Sequence, residues 1–125
     1  MFLGKYFHTL DDKGRITLPA HFRPFLESGV VITMGPDRCL MAFTKDKWQQ
    51  VSAKIDEQPS ITNKDMRLFT RMLFANASDD IPDKQGRVRI PDHLLRFAGI
   101  TSDVVIVGMN SRIEIWSRER WSPQD

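Results

Sequence analysis

Residues 11–19 read Asp11-Asp12-Lys13-Gly14-Arg15-Ile16-Thr17-Leu18-Pro19, and residues 83–91 read Asp83-Lys84-Gln85-Gly86-Arg87-Val88-Arg89-Ile90-Pro91. The two stretches share Asp-x-x-Gly-Arg followed four residues later by Pro, and Gly86 lies 72 positions after Gly14. His21 with His93 and Phe25 with Phe97 keep that spacing. Gly35 with Gly108, Phe43 with Trp116 and Trp48 with Trp121 keep it after one inserted residue. A repeat of this length implies a duplicated unit. The expected molecule has pseudo-two-fold symmetry and a basic, glycine-tipped loop in each half.

The chain has 125 residues, 41% of them hydrophobic, which is ordinary for a globular domain. A domain of this size buries roughly two-thirds of its unfolded surface, whereas one half alone would be marginal. The two halves are therefore expected to share one core. With 18 basic and 16 acidic residues the net charge is only +2. Any nucleic-acid binding must then come from local clustering and multivalency. The single cysteine, Cys39, rules out an internal disulfide framework or a Cys-based metal site and reads as a small buried hydrophobe. Met1-Phe2-Leu3-Gly4-Lys5-Tyr6 does not have the form of a signal peptide. No run approaches the ~18 apolar residues of a membrane span. The expected compartment is the cytoplasm.

Residues 5–10 alternate as a strand, with Lys5, Phe7 and Thr9 on one face. Asp11 to Gly14 is a turn, and Arg15 to Leu18 reads as the returning strand of a hairpin. Pro19 opens a short helix to about Glu27, closed by Ser28-Gly29. Val30–Met34 is apolar enough to be buried on both faces, and Cys39–Phe43 is a further strand. Thr44 is a natural N-cap for a helix lined by Trp48, Val51 and Ile55. The second half repeats the plan: strand 87–90, helix 92–98 stopped by Gly99, strands 104–107 and 112–116, and a short helix from about Ser117. The expected repeats span residues 4–50 and 76–121. Between them, in 59–75, Thr62-Asn63-Lys64-Asp65 resembles a capping box before an apolar stripe of Met66, Leu68, Phe69, Met72 and Leu73. So apolar a helix is expected to pack on the body or on a neighbouring subunit.

The start Met1-Phe2 through Gly4, Tyr6, His8, Leu10-Asp11, Lys13-Gly14-Arg15, Leu18-Pro19 and Phe22-Arg23 resembles the bacterial MraZ proteins. The 83–91 run and Ile113-Glu114-Ile115-Trp116 with Trp121 are similar to the second copy of that family. The resemblance covers essentially the whole chain. It implies an α+β, β-rich fold of two duplicated AbrB-like units, of swapped-hairpin or double-psi-barrel type, fused into one pseudo-two-fold domain with short helices. It also implies a transcriptional regulator of the division and cell-wall gene cluster. Such a regulator assembles as a homo-oligomeric ring, associates with the nucleoid and binds short direct repeats of double-stranded DNA near its own promoter. The family's Asp-x-x-x-Arg signature falls on Asp11 with Arg15 and on Asp83 with Arg87.

Arginine offers a planar fork of donors for a phosphate or a guanine edge. Lys13 and Lys84 add point charges at the turns, while Gly14 and Gly86 let backbone approach a groove. The expected DNA-binding set is Lys13, Arg15, Lys84, Arg87, Arg89 and Lys5. Asp11 and Asp83 would orient the arginines, and the same pairs could equally staple the turn. The copies differ: Asp79 and Asp80 stand where copy one has Phe7 and His8. By sequence order this favours copy one, which also carries Lys5 and Arg23. His21 and His93, equivalent positions on short helices, suit structural roles, and no two histidines have metal-site spacing. No nucleophile–base pair or phosphate loop supports an enzyme, and no cofactor is implied. The rival function is an oligomeric, ring-forming interaction protein of cell division that acts without DNA.

Overall fold

The two copies exchange strands. The computed structural model describes residues 1–121. Copy one supplies β1 (Lys5–Thr9), β2 (Arg15–Thr17), α1 (Arg23–Leu26), β3 (Val30–Met34), β4 (Leu40–Thr44) and α2 (Lys45–Asp56). The connecting helix is α3 (Lys64–Ala75). Copy two supplies β5 (Ser78–Asp80), β6 (Arg87–Arg89), α4 (Asp92–Ala98), β7 (Asp103–Gly108), β8 (Ile113–Ser117) and α5 (Arg118–Trp121). The result is a strand-rich α+β fold with two repeated halves, consistent with duplicated AbrB-like units.

The hairpin expected from β1 and β2 does not form. β1 pairs antiparallel with β7 of the other copy, and β5 pairs in the same way with β3. β2 pairs with β6, which makes a separate two-stranded ribbon. The six-stranded sheet runs β1-β7-β8-β4-β3-β5, an order symmetric about the β8–β4 junction. The Asp-x-x-Gly turns therefore carry the chain from one sheet to another rather than back along the same one. A tight glycine turn between alternating segments fixes a reversal, but not which strand becomes the neighbour.

One core lies between the ribbon and the large sheet. Ile16 and Val88, cross-strand partners on the inner face of the ribbon, are fully buried. They join Leu18, Ile90, Phe22, Leu26 and Leu94 against Ile32, Ile106 and Ile115 of the sheet. The repeat is visible in the packing too. Phe43 against Trp48 and Trp116 against Trp121 both place their ring centroids 5.6 Å apart. Cys39 is buried, and burial pushes its thiol up to about 12.

Helix boundaries shift where proline and capping decide them. α1 begins only at Arg23, because Pro19 to Phe22 closes a turn first, with Phe22 N donating to Pro19 O at 2.9 Å. Thr44 caps α2 by accepting from Lys47 N at 3.0 Å. The cap of α3 is Asn63 rather than Thr62, since Asn63 Oδ1 accepts from Met66 N at 3.1 Å. Helix α3 docks through buried Leu73, whose carbonyl accepts from the Thr33 hydroxyl at 2.6 Å. Its Leu68 and Phe69 stay exposed.

The C-terminal end of β7 is held by unusually close backbone. Gly108 N donates to Gly4 O at 2.8 Å, and a Cβ at Gly108 would strike the Phe2–Leu3 main chain. Main chain cannot swing aside as a side chain can, so Gly108→Ala is expected to cost about 2 kcal/mol or more. Thermal unfolding should show a fall in Tm of roughly 5–15 °C. At Gly14 an added Cβ meets Ile90 O only at 3.6 Å, so Gly14→Ala bears just the left-handed backbone penalty of about 1–2 kcal/mol.

Candidate nucleic-acid interface

Strand alternation sorts the ribbon into two faces. Ile16 and Val88 point into the core, so Arg15, Thr17, Arg87 and Arg89 share the outer face. Arg15 stands opposite Arg89, and Thr17 stands opposite Arg87. Three guanidinium groups thus occupy one side of a two-stranded ribbon, although their residues are up to 74 positions apart in sequence. The strands are antiparallel, so the two glycine loops sit at opposite ends. Lys13 is exposed in one loop and Lys84 in the other. Lys5 is not brought to the ribbon; it lies at the end of β1 distant from the loop, opposite Val107.

The two loops share one geometry. Asp11 Oδ1 accepts from Lys13 N at 2.9 Å and from Arg15 N at 2.8 Å, while Oδ2 accepts from Arg15 Nε at 2.7 Å. Asp83 Oδ1 accepts from Gln85 N at 3.0 Å and from Arg87 N at 2.8 Å, and its Oδ2 from Arg87 Nε at 2.7 Å. Gly14 and Gly86 both have φ of 76°, which a side chain would strain. Each loop is also tied to the opposite copy: Ile90 N donates to Gly14 O at 2.9 Å and Leu18 N to Gly86 O at 2.8 Å.

Each carboxylate thereby holds its arginine's backbone N–H and, of the guanidinium, Nε alone. Partial burial opposes the charge on Asp11, but the Arg15 and Lys13 donors outweigh it and hold the carboxyl below its usual range. Asp83 is held below that range chiefly by the Arg87 backbone N–H, against some burial. Both aspartates are therefore ionised at neutral pH and keep the loops ordered. The arginines remain part-exposed, at 25% and 33% of their side-chain surface.

Two flanking residues escape a reading by sequence order, because strand exchange moves them to the other copy's loop. Asp80 Oδ2 accepts from Arg89 N at 3.1 Å, which places a carboxylate beside the residue facing Arg15. Arg23 lies over Gly86, so that a Cβ there would strike its guanidinium. The signal that could have found them is the repeat offset combined with cross-copy pairing. Of the histidines, His93 Nε2 lies 3.1 Å from Asn76 O, and His21 is exposed on the turn before α1. Among the described residues no group of His, Cys, Asp or Glu is placed to hold a metal ion, and no helix is long and apolar enough to cross a membrane.

A two-stranded ribbon is one of the two shapes that the major groove of B-DNA admits. The profile of the family described as "MraZ protein, putative antitoxin-like" matches residues 1–72 and again 73–124. A protein of Salinispora tropica named "Transcriptional regulator MraZ" is 48% identical over 121 residues, covering 97% of this chain and 84% of the relative. Proteins of the same name from Roseiflexus castenholzii, 48% identical over 121 residues, and Carboxydothermus hydrogenoformans, 46% identical over 122 residues, cover 97% and 98% of this chain and 84% and 85% of their own lengths.

Proposed function

The chain belongs to the MraZ family, and from that premise we propose that it is a transcriptional regulator whose β2–β6 ribbon binds double-stranded DNA. The observation that carries this reading is the outer face of the ribbon, with Arg15, Arg87 and Arg89 side by side and a lysine loop at either end. Arg15, Arg87 and Arg89 supply forked donors to base edges or phosphates. Lys13 and Lys84 neutralise phosphates at the flanks, and Lys5 adds to the surrounding positive field. Asp11, Asp83, Gly14 and Gly86 hold the loops in shape.

Within this reading, repeats 4–50 and 76–121 are joined through 59–75. The target is the promoter of the division and cell-wall gene cluster, read as short direct repeats by a homo-oligomeric ring on the nucleoid. One ribbon makes few contacts, so linked subunits would supply the affinity, and linkage adds ~10²–10⁴-fold. The exposed Leu68 and Phe69 of α3 favour contact between subunits, and they are also what the rival interaction-protein reading would use.

A mobility-shift titration with the duplex upstream of the chain's own coding sequence tests the proposal. Log K against log salt is expected to fall with a slope of roughly −0.9 per phosphate neutralised. Five ribbon and loop cations would then give a slope of about −4.5 for one subunit, and a steeper one for several. Absent binding would favour the interaction protein, and binding that is nearly flat in salt would rule out the phosphate-led mechanism.

A further inference from the structure

We propose that Arg23 is a DNA phosphate-binding residue of the second copy's loop, and that this loop, Asp83–Arg87, makes the stronger of the two DNA contacts. The inference rests on the DNA-binding reading above and reverses the preference given by sequence order.

Arg23 belongs to copy one by position but not by location. Its Nε donates to Leu18 O at 2.9 Å, and Leu18 N donates in turn to Gly86 O. The guanidinium is thus anchored by one edge directly over the second loop. Its two terminal amino groups make no hydrogen bond or ion pair with the described residues. Gly86 is buried and leaves no room for a side chain, because Nε, Cδ and Cζ of Arg23 fill the space where a Cβ would project. His8 lies within the field of Arg23. Burial, helped by that charge, holds its imidazole below the ordinary range, so at neutral pH it adds an uncharged polar group rather than a competing anion.

The first loop has no counterpart of Arg23 or His8. Leu95 stands 72 positions after Arg23, and Asp80 stands 72 after His8. Leu95 approaches Gly14 with an apolar methyl, 3.9 Å from where a Cβ would sit. Asp80 bonds the backbone of Arg89, the partner of Arg15. Each loop thus has a second arginine at its end of the ribbon. At the first it is Arg89, bonded through its backbone to the Asp80 carboxylate, whereas at the second it is Arg23, beside His8 rather than a carboxylate. A phosphate therefore meets a competing flanking anion within the screening range only at the first loop.

The full chain and the variants Arg23→Gln, Arg23→Lys, Arg15→Ala and Arg87→Ala decide the matter by fluorescence anisotropy. The probes are the labelled upstream duplex and a random-sequence duplex, each titrated across a salt series. Arg23→Gln is expected to weaken binding to both duplexes by about tenfold, the worth of one charged hydrogen-bonded contact. It should also flatten the salt slope by about 0.9 for each subunit engaged. Arg23→Lys should keep the slope, since an ammonium still neutralises a phosphate. Arg87→Ala should lose more than Arg15→Ala. Combined with Arg23→Gln, Arg87→Ala should be non-additive and Arg15→Ala additive.

Unchanged affinity and slope in Arg23→Gln would overturn the proposal, as would Arg23→Lys falling as far as Arg23→Gln. If Arg23→Gln fails to fold, the Arg15→Ala and Arg87→Ala pair decides alone, and a larger loss for Arg15→Ala refutes the preference for the second loop. A parent protein that binds neither duplex removes the DNA-binding reading together with this one. A parent that binds with silent Arg23 variants removes only this one.

Discussion

Replacing Arg15 and Arg87 together by alanine is expected to abolish specific binding to the upstream duplex while leaving the fold intact. Each good forked contact in a groove is worth about 1–3 kcal/mol. Losing two per subunit should reduce affinity by about 30-fold to 10⁴-fold, and by more if several subunits act together. Stability should hardly move. Both ion pairs are partly solvated, and exposed pairs contribute about 0–1 kcal/mol each. Asp11 would still accept from the backbone N–H groups of Lys13 and residue 15, so the turn keeps its main supports. Parallel melting curves and anisotropy titrations check both halves of the expectation. A variant that melts far below the parent would show that the Asp–Arg pairs act mainly as staples. One that is folded and still binds would place the DNA surface elsewhere.

The sequence disclosed the repeat, because a fixed offset between matching Gly, Pro and aromatic positions needs no structural knowledge. It disclosed α4, where Asp92 and the left-handed Gly99 mark both ends. It also disclosed the Thr44 cap and the local Asp-to-Arg bonding in each loop. What it concealed is non-local. A three-residue strand such as Arg15–Thr17 carries no trace of its partner, and Arg87–Arg89 lies 72 residues away. The same alternating pattern and glycine turn would serve a hairpin or an exchanged strand. That ambiguity mattered for function, because strand exchange creates the arginine face and moves Arg23 and Asp80 to the opposite loops. The cap of α3 shows a smaller version of the problem. Thr62 and Asn63 are both good caps, and only the bond from Met66 N decides between them.

Strand exchange also makes a demand that neither repeat can meet alone. Cutting the chain in the loop at Pro59–Ser60 should leave two fragments, 1–59 and 60–125, that are each unfolded in isolation and refold when mixed. In the first fragment β1 loses β7 and β2 loses β6; in the second, β5 loses β3. Ile16, Val88, Leu18 and Ile90, all essentially buried in the intact chain, would be stripped of their cross-copy partners. Chains of about 60 residues bury only ~60% of their surface even when well packed, and these would bury less. Joining the halves restores every ladder at the cost of losing one covalent link, which weakens but does not abolish assembly. Circular dichroism should show little ordered structure in either fragment and a strand-rich, cooperatively melting spectrum for the equimolar mixture. Sedimentation should detect one-to-one association. Because the repeats are alike, a fragment at high concentration can also exchange strands with its own kind, so the separate samples are compared at low concentration. A monomeric fragment that melts cooperatively by itself would show that each repeat carries its own core, and that the ladders between copies are secondary.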